Sequence, residues 1–246
     1  SEHGTDRSAQ ILILILFSEL LFFINFKTFK DRVISKILLL IGLVVSFKAF
    51  YILYTIFFLI IIIHLVNSKY SLKNIINNFF SNYYFFSFIL LLILFSFHNF
   101  LISGCLVYPV SITCFDSNIW SIKIDEVKDL NNWYEQWSKA GAGPNFRIED
   151  PLAYIQNFNW VNNWLDKYFF NKVSDFLLSL IFLIVIIFYF LKSKRIKIKS
   201  KRKIFLIISF ALLLLIEWFY NHPSLRYGGY CLISGIIFVY FATKME

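Results

Sequence analysis

Repeated runs of apolar residues, each about as long as a bilayer's hydrocarbon core is thick, constrain this chain more than any other feature. A membrane-crossing helix needs roughly 20 consecutive, mostly apolar residues. Stretches such as "QILILILFSELLFFINF" and "FLLSLIFLIVIIFYFL" approach that length without a basic residue. A soluble fold cannot bury so many such runs. Composition agrees: 16% of residues are charged and 21% aromatic, against roughly 25% charged in ordinary globular domains. The expectation is an all-α polytopic membrane protein, which excludes the usual soluble enzyme classes.

Seven spans are expected. The first covers residues 9–26. The second and third lie within 33–66, broken near "SFKAFY". The fourth covers 84–102, the fifth 174–191, the sixth 204–220 and the seventh 229–243. Residues 1–102 thus carry four spans, 103–173 form one large loop, and 174–246 carry the last three. The chain opens at Ser1 in the polar stretch "SEHGTDRSAQ". No basic n-region precedes the first apolar run, so a cleaved signal peptide is not expected, and the chain reads as a fragment lacking earlier spans.

Charge orients the spans. Eight of the twelve residues in "KSKRIKIKSKRK" (192–203) are basic and lie between two spans. That position suits a cytoplasmic loop touching anionic lipid heads, rather than a nucleic-acid arm. The segments 27–36 and 69–73 and Lys244 then face the cytoplasm as well. The N-terminus and residues 103–173 fall outside, and the C-terminus inside. The large loop has six basic and eight acidic residues, so it carries no opposing bias.

Lys48 interrupts an apolar stretch. A lysine at mid-membrane is costly, so it should reach water or a phosphate, or else snorkel to the interface. The large loop holds five of the six tryptophans. Within it, "VKDLNNWYEQWSKAGAGP" sets Trp133 and Trp137 on one helical face, with Gly141 and Gly143 as the stop. "DPLAYIQNFNWVNNWLDKYFF" should form a second amphipathic helix, capped by Asp150 with Pro151 at its first position. Tyr154, Phe158, Leu165 and Phe169 would share a stripe. Such helices would lie along the outer leaflet or form a small cap with an aromatic core. Cys105 and Cys114 bracket "CLVYPVSITC", and an oxidising compartment favours their disulfide. Cys231 reads as a buried apolar residue. No metal-ligand motif, phosphate-binding glycine loop or nucleophile elbow is present.

A polar cluster stands between two apolar runs in "IEWFYNHPSLRYGGY". Pro223, Gly228 and Gly229 predict a tight turn between spans six and seven. Arg226 suits bidentate contact with phosphate, and His222 could donate to it or carry a proton. Glu217 is expected to pair with Arg226, as a helix anchor or as part of a site. Glu2, His3, Asp6 and Arg7 form a second cluster before the first span. Together with Lys48, Arg226, Tyr227 and Arg147, these residues are candidates to converge on one anionic headgroup.

The stretches "LIGLVVSFKAFYILY", "EHGTDRSAQ" and "WFYNHPSLRYGGY" resemble GT-C-type polytopic membrane glycosyltransferases and similar bacterial inner-membrane proteins of surface-polysaccharide gene clusters. The resemblance implies transfer of a sugar from a polyprenyl-phosphate donor at the outer face, among membrane lipids. It also implies an acidic residue acting as base or as ligand to a divalent cation. That residue would precede Ser1, leaving Glu2 and Asp6 as stand-in acids and Lys48 and Arg226 as donor-phosphate contacts. An O-antigen polymerase or ligase, and a transporter or flippase of lipid-linked saccharides, would share these features.

Overall fold

A computed structural model describes residues 3–24, 31–116, 119–143, 148, 150–190 and 201–244. Among them the chain is all-helical. Helix α1 is His3–Ile24 and α2 is Asp31–Phe47. After a break at Lys48, a 3-10 stretch Ala49–Ile56 runs directly into α3, Phe57–Asn67. Then follow α4 (Leu72–Phe80), α5 (Tyr83–Ser103), α6 (Ile124–Lys139) and α7 (Pro151–Ile155). Helix α8 (Val161–Trp164) continues through a π-helical stretch, Leu165–Val173, into α9 (Ser174–Phe190). The last two helices are α10 (Lys201–Asn221) and α11 (Gly229–Lys244).

Among the described residues, five helices are long and apolar enough to cross a membrane: Asp6–Ile24, Ala49–Asn67, Tyr83–Ser103, Val161–Ile187 and Ile204–Asn221. Apolar side chains on the outside of α5 and α9, such as Leu90, Ile93, Phe97, Leu178, Ile181 and Phe182, are exposed. A helix that is apolar on every side suits lipid rather than water. Helix α2, with 17 residues, and the apolar part of α11, Gly229–Ala242, are shorter.

The core sits where α1, α2, α3, α10 and α11 meet, around Phe17, Phe23, Ile37, Phe57 and Leu214. Small residues let the helix axes approach. A Cβ on Gly235 of α11 would overlap the Phe17 ring, and one on Gly42 of α2 would meet Leu91 Cδ1 of α5 at 2.9 Å. Close backbone approach through glycine is how helices associate where burial from water is no driving force.

The break expected within 33–66 falls at Lys48, whose extended backbone (φ −163°, ψ 138°) ends α2. The spans expected at 84–102 and 204–220 correspond to α5 and α10, while α11 occupies the place of the span expected at 229–243 with a shorter apolar part. The fifth begins at Val161, well before the expected 174, because the helix runs unbroken through Leu165–Val173. This also corrects the second amphipathic helix. Asp150 does cap Pro151–Ile155, its carboxylate accepting from Ala153 N–H at 3.2 Å. Asn157 then adopts a left-handed backbone (φ 52°), which asparagine tolerates, and the chain turns. Tyr154 and Phe158 therefore do not share a stripe with Leu165 and Phe169. Helix α4 was not foreseen. Ser71 caps it by accepting from Asn74 N–H at 3.3 Å, and it buries Ile75 and Phe79.

Hydrogen bonds fix which helix ends lie together. Asn82 before α5 meets Ser35 at the start of α2 at 3.3 Å. At the opposite end, Trp164 Nε1 donates to Pro223 O at 2.9 Å and Gln10 Nε2 donates to Arg226 O at 2.8 Å. This second end carries the polar cluster.

Candidate functional site

The turn between α10 and α11 is built from the sequence outward. Pro223 cannot continue the helix. Leu225–Tyr227 wind as one 3-10 turn, and Gly228 closes it at φ +116°, a value that side chains strongly disfavour. Its backbone is pinned by its neighbours. Trp218 Nε1 donates to Ser224 O at 2.8 Å, and Leu225 N–H donates to the Tyr168 hydroxyl at 2.8 Å. The turn thus holds Arg226 and Tyr227 in fixed positions without using their side chains.

Asp6, in the first turn of α1, is buried and links two cations. Lys48 Nζ lies 2.7 Å from Oδ1, and Arg226 Nε lies 2.5 Å from Oδ2. The carboxylate is only 5% exposed, while the two cations are 24% and 29% exposed. The cations therefore remain reachable from outside, and Asp6 is the anchor that holds them. Glu217, expected as Arg226's partner, instead accepts from Asn221 Nδ2 at 3.0 Å, one helical turn away. The physical reason is depth: Arg226 points toward the buried carboxylate on α1 rather than back along α10.

Above the cluster stands an aromatic wall. The rings of Phe50 and Tyr227 stack at 4.6 Å, with Trp137 edge-on to Tyr227 at 5.7 Å. Lys48 Nζ lies 5.1 Å from the Tyr227 ring and 5.5 Å from the Phe50 ring, within cation–π range.

Two cavities lie at this end of the bundle. The first, about 740 Å³, is lined by Asp6, Arg7, Gln10 and Arg226 at one end and by Ile11, Leu14, Phe176 and Tyr230 beyond. Arg7, Ile11 and Leu14 are all exposed on one face of α1. The cavity therefore grades from cationic to apolar. Arg7 and Arg226 line it, whereas Lys48 holds the same carboxylate without lining the cavity. The second cavity, about 480 Å³, includes Phe50, Glu135, Glu217, Asn221 and His222. His222 thus opens away from Arg226. Burial, and then the nearby Lys139 charge, push its pKa down to about 4, so the ring is neutral at neutral pH.

Cys105 and Cys114 are joined by a disulfide that closes the loop along the second cavity. Lys139 is buried in the cap, paired with Glu135, donating to Ile155 O at 3.2 Å and lying 5.1 Å from the Trp160 ring. His3 lies in α1, while Glu2 and Arg147 fall outside the described residues. Among the described residues, no three His, Cys, Asp or Glu side chains gather where they could hold a metal ion. Sequence reasoning missed Gln10 and Phe50. The available signals were Gln10 four residues after Asp6 on α1, and Phe50 two residues after Lys48.

Fold and site together define a helical protein of membrane-spanning type, with a two-cation, one-carboxylate cluster at one end of its bundle. The chain belongs to the DUF8201 family, a domain of unknown function whose model matches residues 3–233. No curated protein and no solved structure matches the chain.

Proposed function

We propose that this chain is a seven-span protein of the bacterial inner membrane that binds a polyprenyl-phosphate-linked sugar at the outer face and takes part in surface-glycan assembly as a GT-C-like glycosyltransferase. The N-terminus and the 103–160 region would face outward and the C-terminus inward. The observation that carries the reading is the first cavity, with Arg7 and Arg226 at its head and exposed Ile11 and Leu14 beyond. An amphiphile with an anionic head and an apolar tail matches that gradient. Arg226 and Arg7 would hold the phosphate, Lys48 would add charge through the shared carboxylate, and the Phe50–Tyr227 stack would border the sugar. Counting Asp6, Lys48, Arg226 and Arg7 at their ordinary charges gives a net of +2, which favours an anion.

One observation favours a second reading, a transporter or flippase. Asp6 is committed to two cations, which makes it a weak general base. Under that reading the cavity would bind and release the lipid without bond making.

The test uses the full chain in nanodiscs and polyprenyl monophosphate as probe. Arg7→Ala leaves the Asp6 cluster intact and should weaken binding at least about tenfold, the scale of a lost charge-assisted hydrogen bond. Arg226→Lys should weaken it too. Unchanged affinity in both variants rejects the reading. Sugar release from a polyprenyl-linked donor separates the enzyme from the transporter.

A further inference from the structure

The second cavity has no part in holding the lipid phosphate, yet it is a more elaborately built site. It lies between the start of the 3-10 stretch, the disulfide-closed loop, α6 and the end of α10. Its volume, about 480 Å³, falls in the range of roughly 300–1,000 Å³ typical of small-molecule sites. Phe50 contributes one aromatic wall, and Asn131, Glu135, Glu217, Asn221 and His222 contribute polar groups.

The chemistry of that lining selects its ligand. Among the described residues no lysine or arginine lines the cavity, and Glu135 and Glu217 do. Lys139 pairs with Glu135 from outside the lining, so the balance there favours a neutral ligand over an anion. Hydrogen-bond acceptors are in surplus. Glu217 receives one described hydrogen bond, from Asn221, although a carboxylate offers about four lone-pair sites. Nε2 of His222 is buried with no hydrogen-bond partner. A buried polar atom left without a partner is uncommon and calls for a missing one. The Phe50 ring, edge-on to His222 at 4.8 Å and stacked on Tyr227, adds a flat apolar surface beside those acceptors. A ligand rich in hydroxyl donors, with one C–H face to lay on a ring, satisfies all of these features.

We propose that this cavity is a saccharide-binding site, and that it holds the acceptor sugar. The second clause rests on the lipid-linked-sugar reading above. Its geometric basis is adjacency: His222, which lines this cavity, and Arg226, which lines the first, belong to one turn, and Phe50 of this cavity stacks on Tyr227 beside Arg226. Glu217 and Asn221 accept and donate to neighbouring hydroxyls, and His222 Nε2 meets a third. Phe50 carries the ring's C–H face.

Saturation-transfer NMR on the full chain in nanodiscs tests the site, with maltose, cellobiose and diacetylchitobiose as probes. Binding of polyprenyl monophosphate is measured in the same samples. At least one probe should show transfer to its ring protons. The signal should fall several-fold in Glu217→Gln and Phe50→Leu and persist in Arg7→Ala. Asn131→Ala, at a half-buried surface position, replaces either variant should it fail to fold. No transfer from any probe, or transfer unaltered in all the cavity variants, overturns the site. If the lipid probe still binds in that case, the lipid reading stands and this inference alone is lost. Sugar transfer without lipid binding keeps the saccharide site and removes its role as acceptor.

Discussion

Asp6 and Arg226 stand 220 residues apart in sequence, and the Arg226 Nε lies 2.5 Å from the Asp6 carboxylate. The bond joins α1 to the turn before α11, and Lys48 on the same carboxylate adds the break after α2. Three separate segments are therefore tied by one side chain at one end of the bundle. Fold and candidate site depend on the same contact.

Removing the anchor should cost more than removing either cation. Asp6→Asn leaves Lys48 and Arg226 as like charges facing each other, and breaking a buried pair from one side costs about 3 kcal/mol or more. A clear fall in thermal midpoint in detergent is expected. Adding Lys48→Met should recover part of that loss, because it removes one of the stranded charges. If Asp6→Asn melts with the wild type, the cluster carries no structural weight.

Helix approach through glycine makes a second prediction. Gly235→Val would drive side-chain atoms into the Phe17 ring, and overpacking of this kind costs roughly 1–3 kcal/mol. The α1–α11 contact should loosen, read as lower thermal stability and faster hydrogen exchange near Phe17. Gly143→Ala provides the contrast, since among the described residues nothing lies within 4 Å of a Cβ there. Its midpoint should stay within experimental error of the wild type.

Much of the fold could be read from hydropathy, because long apolar runs have few other ways to fold. The break at Lys48 was visible for the same reason: a lysine inside an apolar run must find a partner. The identity of that partner was not visible. Asp6 was a stand-in acid and Glu217 the expected mate of Arg226, since sequence distance favours the near neighbour and says nothing of which helix packs alongside. The start of the fifth span was hidden too. "WLDKYFFNKV" carries Asp166, Lys167 and Lys172, so it reads as the end of an amphipathic helix outside the membrane, yet it continues into α9 as a π-type stretch.

The disulfide predicts a redox-dependent cap. Closing a loop of nine intervening bonds' span between Cys105 and Cys114 is worth about 2.5 kcal/mol in the chain-entropy model. Paired Cys105→Ser and Cys114→Ser substitutions should raise hydrogen exchange across residues 106–113 and leave α10 and α11 unchanged. They should also weaken any ligand in the second cavity, which that loop borders. Equal exchange with and without the bond would show that the loop's own hydrogen bonds hold it, among them Leu106 N–H to Thr113 O at 3.0 Å and the Thr113 hydroxyl to Val110 O at 2.8 Å.

His222 sets an acid limit on stability. Its pKa is about 4 in the folded chain, against an ordinary value of 6.5, because burial and then Lys139 disfavour the charged ring. The unfolded chain therefore binds the proton first as pH falls. Stability is fully present above about pH 6.5, declines between 6.5 and about 4, and levels off below, with at most about 3 kcal/mol at stake. Glu135 and Glu217 border the same cavity, so the wild-type profile alone does not isolate the imidazole. His222→Gln removes the imidazole and leaves both carboxylates. The wild type should lose more of its thermal midpoint between pH 6.5 and 4.5 than this variant does, and parallel profiles would show that the imidazole is not the group responsible.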